Sequence, residues 1–197
     1  MQPDSHSAPT TALAAPPPPE GGGGSLLPTL PGAWYADPAV FAREQEAVFG
    51  GRWLCVAWAA DIARPGQFQV VSAGGESVLV VRQRDGGLRA FLNVCRHRGA
   101  RVCAEESGQV TTYLRCPYHA WSYDLDGRLA AAPNLARMPD VDRGERGLVP
   151  VALREWLGYA WVCLASAPPS FEDTVIGAVT ERLGSAPAIE AWTPGAL

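Results

Sequence analysis

Two short stretches decide the fold: CRHRGARVC at residues 95–103 and LRCPYHAW at residues 114–121. Each contains one cysteine–histidine pair, Cys95-x-His97 in the first and Cys116-x-x-His119 in the second, with 18 residues between the pairs. The chain has only three histidines and five cysteines, so this clustering is unlikely to arise from a random scatter. Thiolates and imidazoles at such short spacings are typical of metal sites, and these four residues are the candidate ligands.

The four candidate ligands fit two kinds of metal centre. Two cysteines and two histidines can hold one zinc ion, but zinc modules of this composition usually pair like with like, as Cys-x-x-Cys with His-x-x-x-His. A [2Fe–2S] centre with mixed ligands takes two cysteines on one iron and two histidines on the other. Because each stretch carries one residue of each type, the pattern favours two loops that clamp a [2Fe–2S] cluster. A zinc-binding interaction module is the weaker alternative.

The composition is that of a globular chain, with 197 residues, 47% hydrophobic and 18% charged. The net charge is -4 and all 16 basic residues are arginines, without the basic stripe that would indicate nucleic acid. No apolar run approaches the roughly 18 residues of a membrane helix, and no secretory signal is recognisable. We therefore expect no membrane partner and a cytoplasmic, reducing location, where cysteines bind metals more often than they form disulfides.

Composition also divides the chain into three parts. Residues 1–33 contain the segment APPPPEGGGGS and are predicted to be a disordered tail, because such a segment cannot bury enough apolar surface to fold. Residues 34–167 carry both ligand stretches. Residues 168–197 change to a helical period, with Ser170 and Asp173 spaced as a capping box.

Between the tail and the last part, the pattern predicts one helix and then strands. The helix is expected to start at Asp37-Pro38 and to end at Gly50-Gly51, with Phe41 and Val48 on one face. Apolar runs of strand length then alternate with glycine-containing turns, which predicts an all-β region that opens with an antiparallel meander. The last part is expected to place four apolar residues on one helical face: Phe171, Val175, Val179 and Leu183.

Residues 34–165 resemble the N-terminal Rieske domain of the α subunits of ring-hydroxylating, or more broadly Rieske non-haem iron, oxygenases. The resemblance is carried by NVCRHRGARVC, CPYHAWSYDLDGRL and AAP, with YADPAVFAREQEAVFGGRWLCVA upstream. It implies the antiparallel all-β Rieske iron–sulfur fold, with a short N-terminal helix and a C-terminal helical stub. It also implies one [2Fe–2S] cluster, with Cys95 and Cys116 on the buried iron and His97 and His119 on the outer iron, which is reduced first.

The remaining cysteines are not expected to be ligands. Rieske proteins of the cytochrome bc type carry an extra cysteine in each ligand loop, joined as a disulfide, but this chain has Tyr118 in the second loop. Cys103 is therefore expected to be a packed loop thiol, while Cys55 and Cys163 lie in apolar strand runs and are expected to be buried. Two departures from the family pattern are a spacer about one residue longer than usual and Ala120 in place of a common glycine.

Residues flanking the two histidines suggest how the cluster is covered and approached. Tyr118 and Trp121 are expected to form a hydrophobic lid, because burial and hydrogen bonds to the sulfurs set the potential of such a cluster. Arg96 and Arg98 flank His97, and the sequence leaves open whether they are merely solvated or dock a partner.

The resemblance implies electron transfer from a reductase or ferredoxin towards a mononuclear Fe(II) held by a separate catalytic oxygenase domain or subunit. That iron needs two further histidines and a carboxylate, and only His6, in the predicted tail, is left. We therefore expect no catalytic residues in this chain and no hydroxylation by it alone, with residues 168–197 as the start of a truncated or absent catalytic domain. A homo-oligomer at full length stays open, and the alternative is a stand-alone Rieske electron carrier or assembly partner.

Overall fold

The structure is a computed structural model that describes residues 29–133, 135–137 and 142–183. Most of the predicted tail (residues 1–28) and the last residues of the predicted helical stub (184–197) lie outside the described residues. The chain divides at Asp37 and Pro38 into two units. The described part of the first unit contains a 3-10 turn, Gly32–Tyr35. All strands and ligand loops belong to the second unit.

The described residues of the second unit form two antiparallel sheets. The larger sheet has seven strands in the order β1-β10-β9-β4-β3-β2-β5, and the smaller has the order β6-β7-β8. Their bounds are β1 Leu54–Trp58, β2 Gln67–Ala73, β3 Glu76–Arg82, β4 Leu88–Leu92, β5 Ser107–Gln109, β6 Leu114–Arg115, β7 Ser122–Tyr123, β8 Leu129–Ala131, β9 Pro150–Trp156 and β10 Tyr159–Cys163. The all-β prediction is therefore confirmed.

Strand β3 separates two hydrophobic cores. Its residues Val78, Leu79, Val80 and Val81 are all 0% exposed, because both faces of the strand are covered. Leu79 and Val81 point into the core that lies under the ligand loops, whereas Val78 and Val80 pack in a second core against β1, β9 and β10. The ligand loops thus rest on a sheet whose central strand is held from both sides.

The predicted antiparallel meander is confirmed for β2, β3 and β4. Strands β2 and β3 turn at Gly74 and Gly75, whose positive φ angles of 54° and 81° suit a tight two-residue hairpin. Strand β1, however, pairs with β10 at the edge of the sheet. Cys55 on this edge strand is exposed, so its predicted burial is wrong, whereas Cys163 on β10 is 1% exposed as predicted. The period and length of an apolar run predict a strand but not which strand it pairs with. Strand β5 was not predicted, because its three residues contain no apolar run.

The first helix begins and ends as predicted but packs differently. Helix α1 spans Pro38–Glu44 and continues as a π-helical turn, Gln45–Phe49, which Gly50 closes by donating its N–H to the Gln45 carbonyl at 2.7 Å. Its buried residue is Val40, while Phe41 and Val48 are exposed. The wider π turn changes the stacking of later residues over earlier ones, which a regular helical period does not anticipate.

The predicted C-terminal helix packs on the same unit. A π-helical turn, Glu172–Gly177, precedes α2, Ala178–Leu183, and the Ser170 hydroxyl accepts the Asp173 N–H at 3.1 Å as an N-terminal cap. Phe171 and Val175 are buried against Trp53 and Cys163. None of the helices in the described part of the chain combines the length and apolar character that a bilayer span requires.

Candidate metal centre

The first ligand loop connects β4 to β5 and is shaped by a tight turn. The Cys95 N–H donates to the Ala100 carbonyl at 2.7 Å, and the Gly99 N–H donates back to the Cys95 carbonyl at 3.0 Å. Gly99 has a φ of 74°, which glycine adopts without strain. The turn buries Cys95, which is 3% exposed, and leaves His97 half-buried.

The second ligand loop connects β6 to β7 and is also closed by its own backbone. The Cys116 N–H donates to the Trp121 carbonyl at 2.8 Å, and the Ala120 N–H donates to the Cys116 carbonyl at 3.1 Å. Cys116 is 2% exposed and His119 is exposed. Ala120 has a φ of 59°, in the left-handed region that costs a non-glycine residue about 1–2 kcal/mol. The alanine that replaces the common glycine therefore adopts a glycine-like conformation.

The two loops bring the four predicted ligands together as two pairs. The Cys95 and Cys116 thiols lie against each other in the core, close enough to interact. The His97 and His119 rings meet edge to face above them, with centroids 4.7 Å apart and planes at 78°. Within the described residues, no group of three or more acidic, cysteine or histidine side chains converges on a single ion position. The arrangement is a buried thiol pair and a more exposed imidazole pair.

Trp121 and Tyr118, the predicted lid, have different positions. Trp121 is 7% exposed and stacks on His97, with centroids 4.9 Å apart and planes at 12°. Tyr118 contacts the His119 ring at a centroid distance of 3.8 Å but is 61% exposed. Trp121 therefore shields one imidazole from water as predicted, whereas Tyr118 lies on the surface beside the other.

Tyr123 is a site residue that the sequence did not reveal. Its side chain is fully buried, and its hydroxyl lies 3.2 Å from the Cys95 Sγ and 3.0 Å from the Arg96 backbone nitrogen. Because the Arg96 N–H can only donate, the hydroxyl accepts that bond and its own proton is free to point at the sulfur. Nothing in the ligand spacing signals this contact, since Tyr123 lies on β7, 28 residues from Cys95.

Burial controls the protonation of these groups. Burial raises the pKa of the Cys95 thiol, and the hydrogen bond from Tyr123 counteracts part of that rise. Burial also raises the pKa of the Tyr123 phenol, so it stays a donor at neutral pH. Desolvation lowers the pKa of His97, and the neighbouring charges of His119 and Arg98 act in the same direction. A neutral imidazole is the form that binds metal.

Cys103 is a packed loop thiol, as predicted. It is 8% exposed and free, and burial raises its pKa to about 12. A thiol that stays protonated is inert towards metals and oxidants. Cys103 therefore serves the core rather than the metal centre.

The tip of the site is positively charged. The two ligand stretches contain no aspartate or glutamate, although the whole chain has a net charge of -4. They carry four exposed arginines: Arg96, Arg98, Arg101 and Arg115. These four arginines, named here the arginine collar, make the two ligand stretches a local positive patch on an acidic protein.

The donors present suit a two-iron cluster. Soft thiolates suit an iron–sulfur core, the imidazoles supply the second pair of protein ligands, and the Tyr123 hydroxyl is placed to bond a sulfur that carries negative charge. The division into a thiol pair and an imidazole pair corresponds to the division of ligands between two irons.

Comparison with known proteins agrees with this geometry. Residues 52–149 match the family model of the Rieske [2Fe-2S] domain. The glycine betaine monooxygenase oxygenase subunit of Chromohalobacter salexigens is 42% identical over 146 residues, which are 74% of this chain and 32% of that subunit. The carnitine monooxygenase oxygenase subunit of Escherichia coli is 37% identical over 161 residues, 82% of this chain and 43% of that subunit.

Solved structures show the same fold. A quaternary ammonium Rieske monooxygenase in complex with L-carnitine superposes with a TM-score of 0.72 and 32% identity, covering 80% of this chain and 45% of that one. Naphthalene 1,2-dioxygenase from Rhodococcus sp. gives a TM-score of 0.67 and 33% identity, covering 72% and 32%. The predicted Rieske fold is thereby confirmed. The chain spans about a third to under a half of the length of these relatives.

Proposed function

Because residues 52–149 belong to the Rieske [2Fe–2S] domain family, whose members bind a [2Fe–2S] cluster, we propose that Cys95, His97, Cys116 and His119 are its ligands. The observation that carries this proposal is that the two thiols form a buried pair while the two imidazoles form a more exposed pair. The cysteines hold the inner iron and the histidines hold the outer one. When bound, the cluster supplies one-electron redox chemistry.

The surrounding residues prepare the site for that chemistry. Trp121 covers one face of His97 and excludes water from it, while His119 stays exposed at the surface. The Tyr123 hydroxyl donates a hydrogen bond to the Cys95 sulfur and so partly offsets the negative charge of a thiolate there. The imidazoles are the more exposed pair, so this side of the site would be where electrons enter and leave.

We propose that the domain is the electron-carrying part of an oxygenase component. The named relatives are oxygenase subunits, which supports this role over a stand-alone carrier. With His97 and His119 used, one histidine is left in the 197 residues, whereas a mononuclear iron triad takes two. The electron is then passed to an iron held by another domain or subunit, which hydroxylates an organic substrate.

We assign the electron-transfer domain to residues 34–167 and its location to the cytoplasm. All five cysteines are free thiols, in keeping with a reducing compartment.

We assign the arginine collar to docking of the electron donor, a reductase or ferredoxin with an acidic surface. Exposed arginines around the histidine tip attract a carboxylate-rich partner and orient it for electron entry.

Metal analysis and spectroscopy test the cluster. The purified protein is expected to be red-brown, with about two irons and about two acid-labile sulfides per chain and a Rieske-type EPR signal after reduction. Zinc at about one per chain, without labile sulfide, would overturn the proposal and restore the zinc alternative.

Stopped-flow reduction tests the donor. Reversing the charge in Arg96→Glu/Arg98→Glu is expected to slow reduction by an acidic ferredoxin on the order of tenfold at low salt, with less difference at high salt. Arg43→Glu/Arg52→Glu is the matched control, because both arginines are also exposed but lie outside the ligand loops. Equal slowing by the two changes, or no dependence on salt, would contradict docking at the collar.

Oxygen uptake tests the oxygenase role. The 197 residues are expected to accept electrons without substrate-dependent oxygen uptake, and uptake is expected once a matching catalytic iron protein is added. Substrate-dependent uptake without a second iron protein would contradict the assignment.

A further inference from the structure

Asn93 is a fully buried amide at the base of the first ligand loop, two residues before Cys95. Its Oδ1 accepts the backbone N–H groups of Val102 at 3.1 Å and Cys103 at 2.9 Å. Its Nδ2 donates to the Cys103 carbonyl at 2.8 Å and to the Ser77 hydroxyl at 3.2 Å. The side chain thus has partners for both of its donors and for its acceptor.

These bonds join the two ends of the loop. Asn93 stands at the start of the loop and Val102 and Cys103 at its end, so one side chain spans the turn that contains Cys95 and His97. The amide bonds both the N–H and the carbonyl of Cys103, as a neighbouring strand would. Val102 and Cys103 lie outside any strand but are buried, and buried backbone groups need such partners.

The same residue is fixed to the sheet. The Asn93 N–H donates to the Ser77 carbonyl at 2.8 Å, and Ser77 belongs to β3, the strand held between the two cores. The closure of the loop is therefore tied to a strand with four consecutive fully buried residues, Val78 to Val81.

We propose that Asn93 is the positioning residue of the first ligand loop, and that it sets the loop geometry before the cluster binds. This inference rests on the proposed cluster ligands, because it concerns the loop that presents two of them. Asn93 is not one of the proposed ligands, and its side chain bonds Ser77, Val102 and Cys103. It acts by holding the far end of the loop, so that Cys95 and His97 are presented in one arrangement.

Amide hydrogen exchange of the apo-protein tests the closure without any metal. In Asn93→Leu, which keeps a side chain of similar volume, exchange at Val102 and Cys103 is expected to accelerate about tenfold or more, because both N–H groups lose their acceptor. In Ser77→Ala the bonds to the loop remain, and exchange at these two amides is expected to stay near that of the wild type. Asn93→Asp retains the acceptor for both N–H groups but loses the Nδ2 donor to the Cys103 carbonyl. It is the variant to compare with the wild type if Asn93→Leu does not fold.

The loaded protein supplies the second readout. Asn93→Leu is expected to release its iron to a chelator about tenfold faster and to broaden the EPR signal, since the loop samples several arrangements. Val162→Ala, a fully buried change in the second core, is the control for lost stability alone. It is expected to lower the unfolding midpoint and to leave the EPR signal unchanged.

The outcomes separate this inference from the proposed function. If the wild-type protein binds no [2Fe–2S] cluster, the proposed function fails, while the exchange measurement still tests the loop closure. If the wild type binds the cluster and Asn93→Leu matches it in exchange, chelation and EPR signal, the positioning role alone is overturned. Equal effects of Asn93→Leu and Val162→Ala on the EPR signal would overturn it as well.

Discussion

The two ligand loops perform the same task with different supports. The first contains Gly99 at its positive φ position and is tied across its base by the buried side chain of Asn93. The second is closed by hydrogen bonds between Cys116, Ala120 and Trp121, and places an alanine at positive φ. Backbone hydrogen bonds close the turn of both loops, but the first loop is relaxed at its positive φ position and has the buried Asn93 side chain as an additional anchor, whereas the second loop is strained at Ala120. Ligand geometry can therefore be secured by a tightly closed turn with or without a tertiary side-chain anchor.

The loops also differ in how they treat their ligands. The first loop half-buries His97 under Trp121 and supplies the sulfur that bonds Tyr123, whereas the second loop leaves His119 at the surface. The contacts that tune the reduction potential are thus concentrated on the first loop, while the second loop provides the exposed imidazole. Four predictions test the comparison of the two loops, from the largest expected effect to the smallest.

Removal of either histidine should abolish the cluster despite the different supports. His97→Ala and His119→Ala each remove an iron ligand that nothing nearby replaces, so the Rieske EPR signal should be lost completely in both. Iron content and EPR measure the effect, and His6→Ala is the control. A cluster that survives in one variant but not the other would show that the loops do not contribute equal shares of the ligand set.

Loss of the sulfur hydrogen bond should shift the potential. Tyr123→Phe removes the hydroxyl that donates to the Cys95 sulfur, which stabilises the more negative reduced state. The potential should fall by tens of millivolts, on the order of one hydrogen bond's contribution. Redox titration measures the shift from a wild-type value expected near the low end of the range of about -150 to +300 mV.

The control for this titration is Tyr113→Phe, since Tyr113 is 45% exposed. An unchanged potential in Tyr123→Phe would mean that tuning is not concentrated on the first loop.

Ala120→Gly and Gly99→Ala should have opposite effects on the free energy of unfolding. Ala120→Gly should stabilise the apo-protein by about 0.5–1 kcal/mol, because relief of the strained φ exceeds the entropy that glycine adds to the unfolded chain. Gly99→Ala should destabilise it by a similar amount, since a methyl group there meets no atom within 4 Å and only the backbone conformation is penalised. Urea unfolding measures both. Effects of the same sign would refute the contrast between a relaxed and a strained loop.

Cys103→Ala should have the smallest effect on the metal centre and should leave the EPR signal intact at neutral pH. Its folded pKa of about 12 lies above the ordinary value of 9.0. The folded state therefore keeps the proton longer than the unfolded state. The contribution of the protonated Cys103 thiol to the free energy of unfolding is complete below pH 9.0 and is lost as the pH rises towards about 12.

The free energy of unfolding of the wild type, measured in urea at neutral pH and near pH 10, should fall with pH more than that of Cys103→Ala. Parallel losses in the two proteins would show that this thiol does not control the alkaline response. Loss of the cluster in Cys103→Ala would contradict its exclusion from the ligand set.

Much of the site could be predicted from local sequence. The spacing of Cys95, His97, Cys116 and His119 predicts the proposed ligand set, because ligands of one loop must stand close together in the chain. Strand-length apolar runs and glycine turns predicted the all-β fold, and Asp37-Pro38 marked the start of α1. These features depend on interactions between residues near one another in sequence, which a period or a spacing records.

Only the tertiary structure decided which distant residues support the site. Tyr123 reaches Cys95 across 28 residues, and Asn93 bonds both Ser77 and Cys103, because the folding of two sheets brings β3, β7 and the first loop together. The pairing of β1 with β10 and the resulting exposure of Cys55 were hidden for the same reason. Hydrophobic periodicity reports which residues are buried, but a buried polar side chain finds its partner only when the strands have taken their order.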